Sequence, residues 1–230
     1  MTEQLLLNVQ LHEQSTFQTF TVGENSQVVA ALQEAVEARA ERFIYLFGEH
    51  GVGRSHLLQA CCHFAERSQH RALYLPLSQV QHLTPAVLEG AQQFSLICLD
   101  DINAVAGDNH WEEALFHLYN ELRAADCALV VSADTAPAAL PIKLADLRSR
   151  LSWGLAFQVQ GLSDEDKLSN LQLRARLRGF DMSAEVAKFI LQRCRRDMAS
   201  LIAAFDRLDQ ASLAEQRKLT IPFVKEVLNF

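Results

Sequence analysis

The chain has 230 residues, 49% of them hydrophobic and 21% charged, an ordinary globular balance with enough apolar side chains to fill a core. A formal charge of −7 argues against strong intrinsic nucleic-acid binding, because phosphate contacts need clustered Lys and Arg. Five cysteines, two of them adjacent at Cys61 and Cys62, do not make a secreted disulfide framework, and no apolar run reaches the roughly 18 residues of a membrane span. With no leader-like opening, the expectation is a soluble, cytoplasmic protein that does not engage a membrane.

In chain order, Gln4-Leu5-Leu6-Leu7-Asn8 is a short apolar stretch, either a strand added to a sheet edge or a tail displayed for a partner. Phe17 and Phe20 precede a turn cluster at Gly23 and Asn25. Asn25 or Ser26 then caps a helix whose apolar positions Val28, Val29, Leu32 and Val36 recur at three- and four-residue steps. Residues 43–47, Phe-Ile-Tyr-Leu-Phe, are rich in aromatic and β-branched side chains and read as a buried strand.

That strand stops at Gly48, and Gly48-Glu49-His50-Gly51-Val52-Gly53-Arg54-Ser55-His56 follows, opening a segment with helical spacing. Strand, glycine-rich turn and helix is the setting of a phosphate-binding loop, and the pattern G-x-x-x-x-G-K-[ST] is met everywhere except at Arg54, which stands for lysine. The glycines let successive backbone N–H groups turn inward, and the new helix adds its positive end. Ser55 is positioned to offer its hydroxyl to a magnesium ion. Arg54 keeps the charge but as a planar fork, suited to holding a diphosphate and poorly shaped for a γ-phosphate in transfer. In the helix that follows, Cys61, Cys62 and His63 point about 100° apart from one to the next, which predicts core packing rather than a metal site.

Residues 71–77, 95–102, 127–134 and 155–159 read as four more strands. Between them, 79–93 reads as helix or turn with Pro85 near a helix start, and 111–125 as an amphipathic helix with Trp111, Leu115, Leu118 and Leu122 on one side. Pro137 and Pro141 break the chain before a short helix within 144–154. From Ser163 the character changes: an N-cap, an acidic first turn, a basic last turn and Gly179 make a complete helix signature. Helices near 184–194 and 197–213 follow, and a last one opens around Thr220 with Pro222 in its first turn. The expected fold is α/β, a parallel sheet flanked by helices, with a small C-terminal helical domain. The boundaries read as an N-terminal extension at 1–15, a nucleotide-binding domain at 16–161 and the helical domain at 162–230.

In such a sheet, ligands bind at the carboxyl ends of the strands, where Gly48–Ser55, Asp100–Asp101 and Ser132–Asp134 all fall. Asp100 is a magnesium ligand candidate opposite Ser55. Asp101 stands where a hydrolase usually has a glutamate to orient water, one methylene shorter. Asp134 or Ser132 is a candidate γ-phosphate sensor. Arg148 and Arg150, two residues apart on a helix, point to different faces. One braces the fold, and the outward one is either a surface salt bridge or a finger acting on a neighbour's phosphates.

The phosphate loop, the run LDDI at 99–102, the strand ending VSAD, the run SRLSWG at 149–154 and the helical tail together resemble AAA+ ATPases of the initiator clade. Within it they are similar to the DnaA-like regulators, through GRSHLL, WEEALFHLYNEL, LSDEDKL and QRKLTIPFVKE, over essentially the whole chain. The resemblance implies an AAA+ P-loop NTPase fold with a helical lid, Walker A at Gly48, Gly51, Gly53, Arg54 and Ser55, and Walker B at Asp100 and Asp101. It makes Arg150 an arginine finger acting in trans on the initiator DnaA, with ADP (or another nucleoside diphosphate) and Mg2+ as cofactors. Gln4, Leu5 and Leu7 match a peptide that binds the DNA polymerase III sliding clamp (the beta subunit). Phe17, Phe20 and the Val22–Asn25 turn fall where the family binds the base. Ala199 stands where the family has a sensor-two arginine, with Arg195 or Arg196 as substitutes. The DNA-binding helix-turn-helix domain of the initiator has no counterpart in the resemblance, in keeping with the acidic charge. The implied function is negative regulation of replication initiation, with weak or absent hydrolysis of its own and a possible homodimer or higher oligomer. The alternatives are a self-sufficient AAA+ ATPase that loads or remodels a replication protein, and a DNA-binding initiator paralogue.

Overall fold

The computed structural model describes residues 11–12, 15–80 and 83–230; the clamp-binding candidates Gln4, Leu5 and Leu7 lie outside the described residues. Five strands, β1 (Phe43–Phe47), β2 (Ala72–Pro76), β3 (Leu96–Asp100), β4 (Ala128–Ala133) and β5 (Leu155–Gln158), form one sheet in the order β2-β3-β4-β1-β5. Every pairing is parallel, with Phe43 opposite Leu129, Phe47 opposite Ala133 and Pro76 opposite Asp100. Their carboxyl ends are therefore level, and the loops after β1, β3 and β4 emerge together. β3 and β4 are buried at every position, as central strands of a sheet covered on both faces must be, while the edge strand β5 is largely exposed.

One helix, α1 (Ser26–Val36), precedes β1, and the crossovers carry α2 (Arg54–Arg67), the single turn α3 (Leu77–Val80), α4 (Asn109–Ala124) and α5 (Ala145–Leu151). The segment expected as helix or turn resolves into α3 and two short 3-10 turns, Pro85–Leu88 and Ala91–Gln93. On one face, Trp111, Leu115, Leu118 and Leu122 of α4 pack with Tyr45, Ile97, Leu99, Leu129 and Val131. At about 1.5–3 kcal/mol for each fully buried side chain, that stripe outweighs helix propensity in fixing where α4 lies. On the other face, Cys61 and Cys62 of α2 and Cys98 of β3 are buried, and burial first of all pushes the Cys98 thiol well above its ordinary range. This is the core packing expected of the cysteine pair.

Among the described residues, those up to Glu49 and from Gly53 to Val159 form one compact unit; Gln160–Phe230 form a second, to which His50–Val52 also belong. The second unit contains α6 (Asp164–Leu177), α7 (Ala184–Arg193), α8 (Met198–Glu215) and α9 (Ile221–Leu228), around Leu171, Ile190, Phe205, Leu208 and Phe223. Each helix starts on a side-chain cap: Ser163, Ser183, Asp197 and Thr220 accept from the N–H of Asp166, Val186, Ser200 and Phe223. α6 ends as its sequence predicts. Gly179 is left-handed at φ +81°, and the N–H groups of Phe180 and Gly179 return to the carbonyls of Ala175 and Arg176.

Candidate nucleotide site and arginine surface

The loop after β1 turns through two left-handed glycines, Gly51 at φ +82° and Gly53 at φ +103°. Gly53 is required twice over, because a Cβ there would also sit 2.9 Å from the Phe20 ring. Gly53 is the N-cap of the 14-residue helix α2 and supplies no side-chain cap, so the first-turn N–H groups face outward as an anion site. Glu49 and His50 are exposed at the tip, as is Ser55 on the first turn of the helix. The segment before α1 is drawn over this helix start. His56 Nε2 hydrogen-bonds the Thr16 carbonyl at 2.9 Å, and the Phe20 ring lies 5.4 Å from the His56 ring. Of the two aromatic base-pocket candidates, Phe20 thus borders the loop, whereas Phe17 packs edge-on against Phe64.

Arg54 is turned inward, 8% exposed, with Nη2 3.5 Å from Asp101 Oδ1. Its Nη1 is buried with no hydrogen-bond partner among the described residues. A buried donor left unmade costs about 1–3 kcal/mol, and more for a charged group. A phosphate oxygen would satisfy it, so the donor set of this loop fits a nucleotide's phosphates. Asp100, 3% exposed, accepts from Tyr74 Oη at 2.7 Å and from Ser132 Oγ on its other oxygen. Ser132 Oγ in turn accepts from the Asp101 N–H at 2.9 Å. Burial, then the Asp100 carboxylate, pushes the Tyr74 phenol far up, so Tyr74 stays a donor. A carboxylate has about four acceptor positions, so Asp100 keeps acceptor capacity beyond these two hydrogen bonds.

Asp101 leaves the strand altogether. It is left-handed at φ +56° and opens a 3-10 turn at Ile102–Ala104, so β3 ends at Asp100. Of the two sensor candidates, Ser132 is the one bonded to Asp100. Asp134 is exposed, with its N–H donating to Asn103 Oδ1 at 3.3 Å. After burial, the Asp134 carboxylate is the largest influence raising the Tyr45 phenol, which Arg54 opposes.

Arg150 lies at the opposite end of the sheet. Its guanidinium carbon is 4.1 Å from the Trp153 ring centre, with Tyr119 at 5.8 Å and Phe116 at 6.0 Å. Arg148 is the more exposed of the pair; Arg150 is half-buried across these rings. Gly154 packs against the start of β1 so closely that a Cβ would fall 2.0 Å from the Phe43 carbonyl oxygen. Phe43 opens β1 and Gly48 follows its end, so a strand length of roughly 16 Å separates the arginine surface from the phosphate loop. Beside Arg150, a groove of about 750 Å³ is lined by Arg42, Phe43, Tyr119, Arg123, Asp126 and Trp153, among others.

One residue that the sequence reading passed over holds this surface in place. Glu112, 1% exposed in the first turn of α4, accepts from the N–H groups of Gly107 (2.7 Å), Lys143 (3.0 Å) and Leu144 (2.7 Å). It thereby fixes the segment that leads into α5 and Arg150. In the helical unit, Ala199 is exposed in the first turn of α8. Both substitutes proposed for the sensor-two arginine face carboxylates of their own unit, Arg195 with Asp197 and Arg196 with Asp164, each at 3.6 Å. The Asp197 carboxyl is held below its usual range, first by the Ser200 N–H.

The family model for the bacterial DnaA ATPase domain matches residues 11–158, and that for the Hda lid domain matches residues 164–228. Among solved structures, domain III of the replication initiation protein DnaA from Thermotoga maritima superposes with a TM-score of 0.83 at 21% identity, covering 96% of this chain and 98% of that one. AMPPCP-bound DnaA from Aquifex aeolicus gives 0.70 at 22% identity, over 90% of this chain and 69% of that one. The RuvB Holliday junction branch migration motor of T. maritima gives 0.65 at 14% identity, over 89% and 69%. At these identities the structures establish a shared AAA+ fold.

Proposed function

This chain belongs to the bacterial DnaA ATPase-domain family, and from that premise we infer that it is a negative regulator of replication initiation. In this reading it holds ADP and Mg2+ in its own loop and completes the hydrolytic site of ATP-bound DnaA in trans. The observation that carries the reading is the separation of Arg150 from the phosphate loop by the length of β1. A guanidinium at the entry of that strand cannot serve phosphates bound beyond its exit, but it is available to a neighbouring molecule.

The loop's own residues have binding roles. The backbone from Gly48 to Gly53, with Glu49, His50 and Val52 between the glycines, wraps the phosphates, and the first turn of α2 through His56 supplies its open N–H groups. The fork of Arg54 neutralises a diphosphate through its unpartnered Nη1. Ser55 and Asp100 hold the magnesium ion, whose chemistry when bound is to screen phosphate charge. Asp101 is engaged by Arg54, which supports weak hydrolysis in this site, since a water-orienting carboxylate must face the attacking water. Gln4, Leu5 and Leu7 tether the protein to the sliding clamp, and Asp134 senses the bound nucleotide from the end of β4.

Mass spectrometry of the nucleotide released from purified protein tests the cofactor assignment. ADP is expected. An empty site would count against the diphosphate reading, and steady-state ATP turnover by the protein alone approaching about 1 s⁻¹ would favour a self-sufficient ATPase.

A further inference from the structure

We propose that Trp153 is the positioning residue for Arg150, a post on which the guanidinium is held in one orientation for presentation to a partner's triphosphate. The proposal rests on the reading of Arg150 given above. The distance of 4.1 Å to the Trp153 ring centre is face contact, whereas Tyr119 at 5.8 Å and Phe116 at 6.0 Å lie at the outer limit of cation–π attraction. No carboxylate stands within ion-pair distance of Arg150 among the described residues. On the same surface Arg42, by contrast, is paired with Asp126 at 3.2 Å.

That difference has a chemical consequence. A carboxylate would orient Arg150 but would cancel the charge that an arginine finger must deliver. An indole face orients the plane of the guanidinium and leaves its charge and its edge N–H donors uncommitted. A rotamer-rich side chain held in one orientation loses less freedom when it engages the developing charge of a reaction.

The post is rigid at its base and open at its tip. The Trp153 N–H donates to the Arg150 carbonyl at 3.1 Å, and the adjoining Gly154 is wedged against the Phe43 carbonyl with no room for a Cβ. A second guanidinium, Arg123, stands 5.3 Å from the same ring. Yet the Trp153 residue is 55% exposed, far more than packing requires of so large an apolar side chain. An exposed tryptophan is also a common anchor of protein interfaces, so the test must separate positioning from docking.

Full-length Trp153→Leu and Trp153→Phe proteins are titrated against ATP-loaded DnaA in the presence of the clamp on DNA. Both the maximal hydrolysis rate and the concentration giving half of it are read. Trp153→Leu is expected to lower the maximal rate about 5- to 30-fold, at one tenfold step per 1.36 kcal/mol, with the half-saturating concentration unchanged within about twofold. Trp153→Phe, which keeps a ring face, retains most of the rate. A spectroscopic signature accompanies this. Arg150→Ala shifts the emission of exposed Trp153, while the only other tryptophan, Trp111, is 2% exposed and serves as reference. A Trp153→Leu protein with an unchanged maximal rate, or with only a raised half-saturating concentration, overturns the proposal. So does unchanged Trp153 emission in Arg150→Ala. If Arg150→Ala itself stimulates as well as the parent, the finger reading has failed and the positioning role falls with it, whatever Trp153→Leu does.

Discussion

Arg150→Ala is expected to abolish the stimulation of DnaA's ATP hydrolysis, by about 10³- to 10⁵-fold at saturating protein, while the variant stays folded. The magnitude is that of arginine fingers supplied in trans, which stabilise charge that develops only as the γ-phosphoryl group transfers. The folding cost is small by comparison. A guanidinium over the face of Trp153, with Tyr119 and Phe116 farther off, contributes about 0.5–1 kcal/mol through cation–π attraction, and no ion pair among the described residues is broken. Arg150→Lys keeps the charge as a point ammonium without the planar fork, so it should recover only part of the rate. The assay reads phosphate release from ATP-loaded DnaA with the clamp present, beside a thermal melt of the variant. Stimulation at the parental level by a folded Arg150→Ala protein would remove Arg150 from the reaction.

Glu112→Ala is expected to destabilise the nucleotide unit by about 3–5 kcal/mol. Its carboxylate is nearly inaccessible and takes the N–H groups of Gly107, Lys143 and Leu144. Removing it leaves three backbone donors to find water in a covered site, at about 1–3 kcal/mol for each that stays unsatisfied. It also removes an acidic group from the first turn of α4, where the helix dipole favours it. For a protein of this size that corresponds to a fall in Tm of roughly 6–20 °C. Glutamine does not rescue: its amide keeps one acceptor oxygen but turns a donor toward backbone donors. Because the freed segment leads into α5, stimulation of DnaA should weaken even at temperatures where the variant is folded. A Tm within about 1 °C of the parent's would show that Glu112 does not anchor this segment.

Much of the architecture was legible because periodicity and glycine chemistry act locally. The apolar runs at 43–47, 96–100 and 128–133 became strands of a parallel sheet, and the caps and Gly179 delimited α6. The phosphate loop was legible for the same reason, since its glycines answer to φ angles and close approach rather than to distant packing. Three features were not legible, each because a partner far along the chain decides it. Glu112 reads as the polar side of an amphipathic helix until residues 143–144 fold back onto it. Ser132, offered only as an alternative to Asp134, is the residue bonded to Asp100 because β3 and β4 are neighbours in register. Arg150 and Arg148 differ in face by helix geometry, but which one meets aromatic rings depends on Tyr119 and Trp153. The strand expected to run to Ile102 stops two residues earlier because Asp101 turns left-handed, a conformation Asp tolerates and sequence spacing does not reveal.

The most direct test follows the phosphate. DnaA is loaded with γ-labelled ATP and freed of excess nucleotide, and this protein is loaded with unlabelled ADP. The two are then mixed with clamp-bearing DNA for a single turnover. Rapid release of label from DnaA while the ADP stays bound to this protein is the predicted result. Release that occurs only when this protein itself carries ATP, or no acceleration at all, would contradict an arginine that acts on a neighbour's triphosphate.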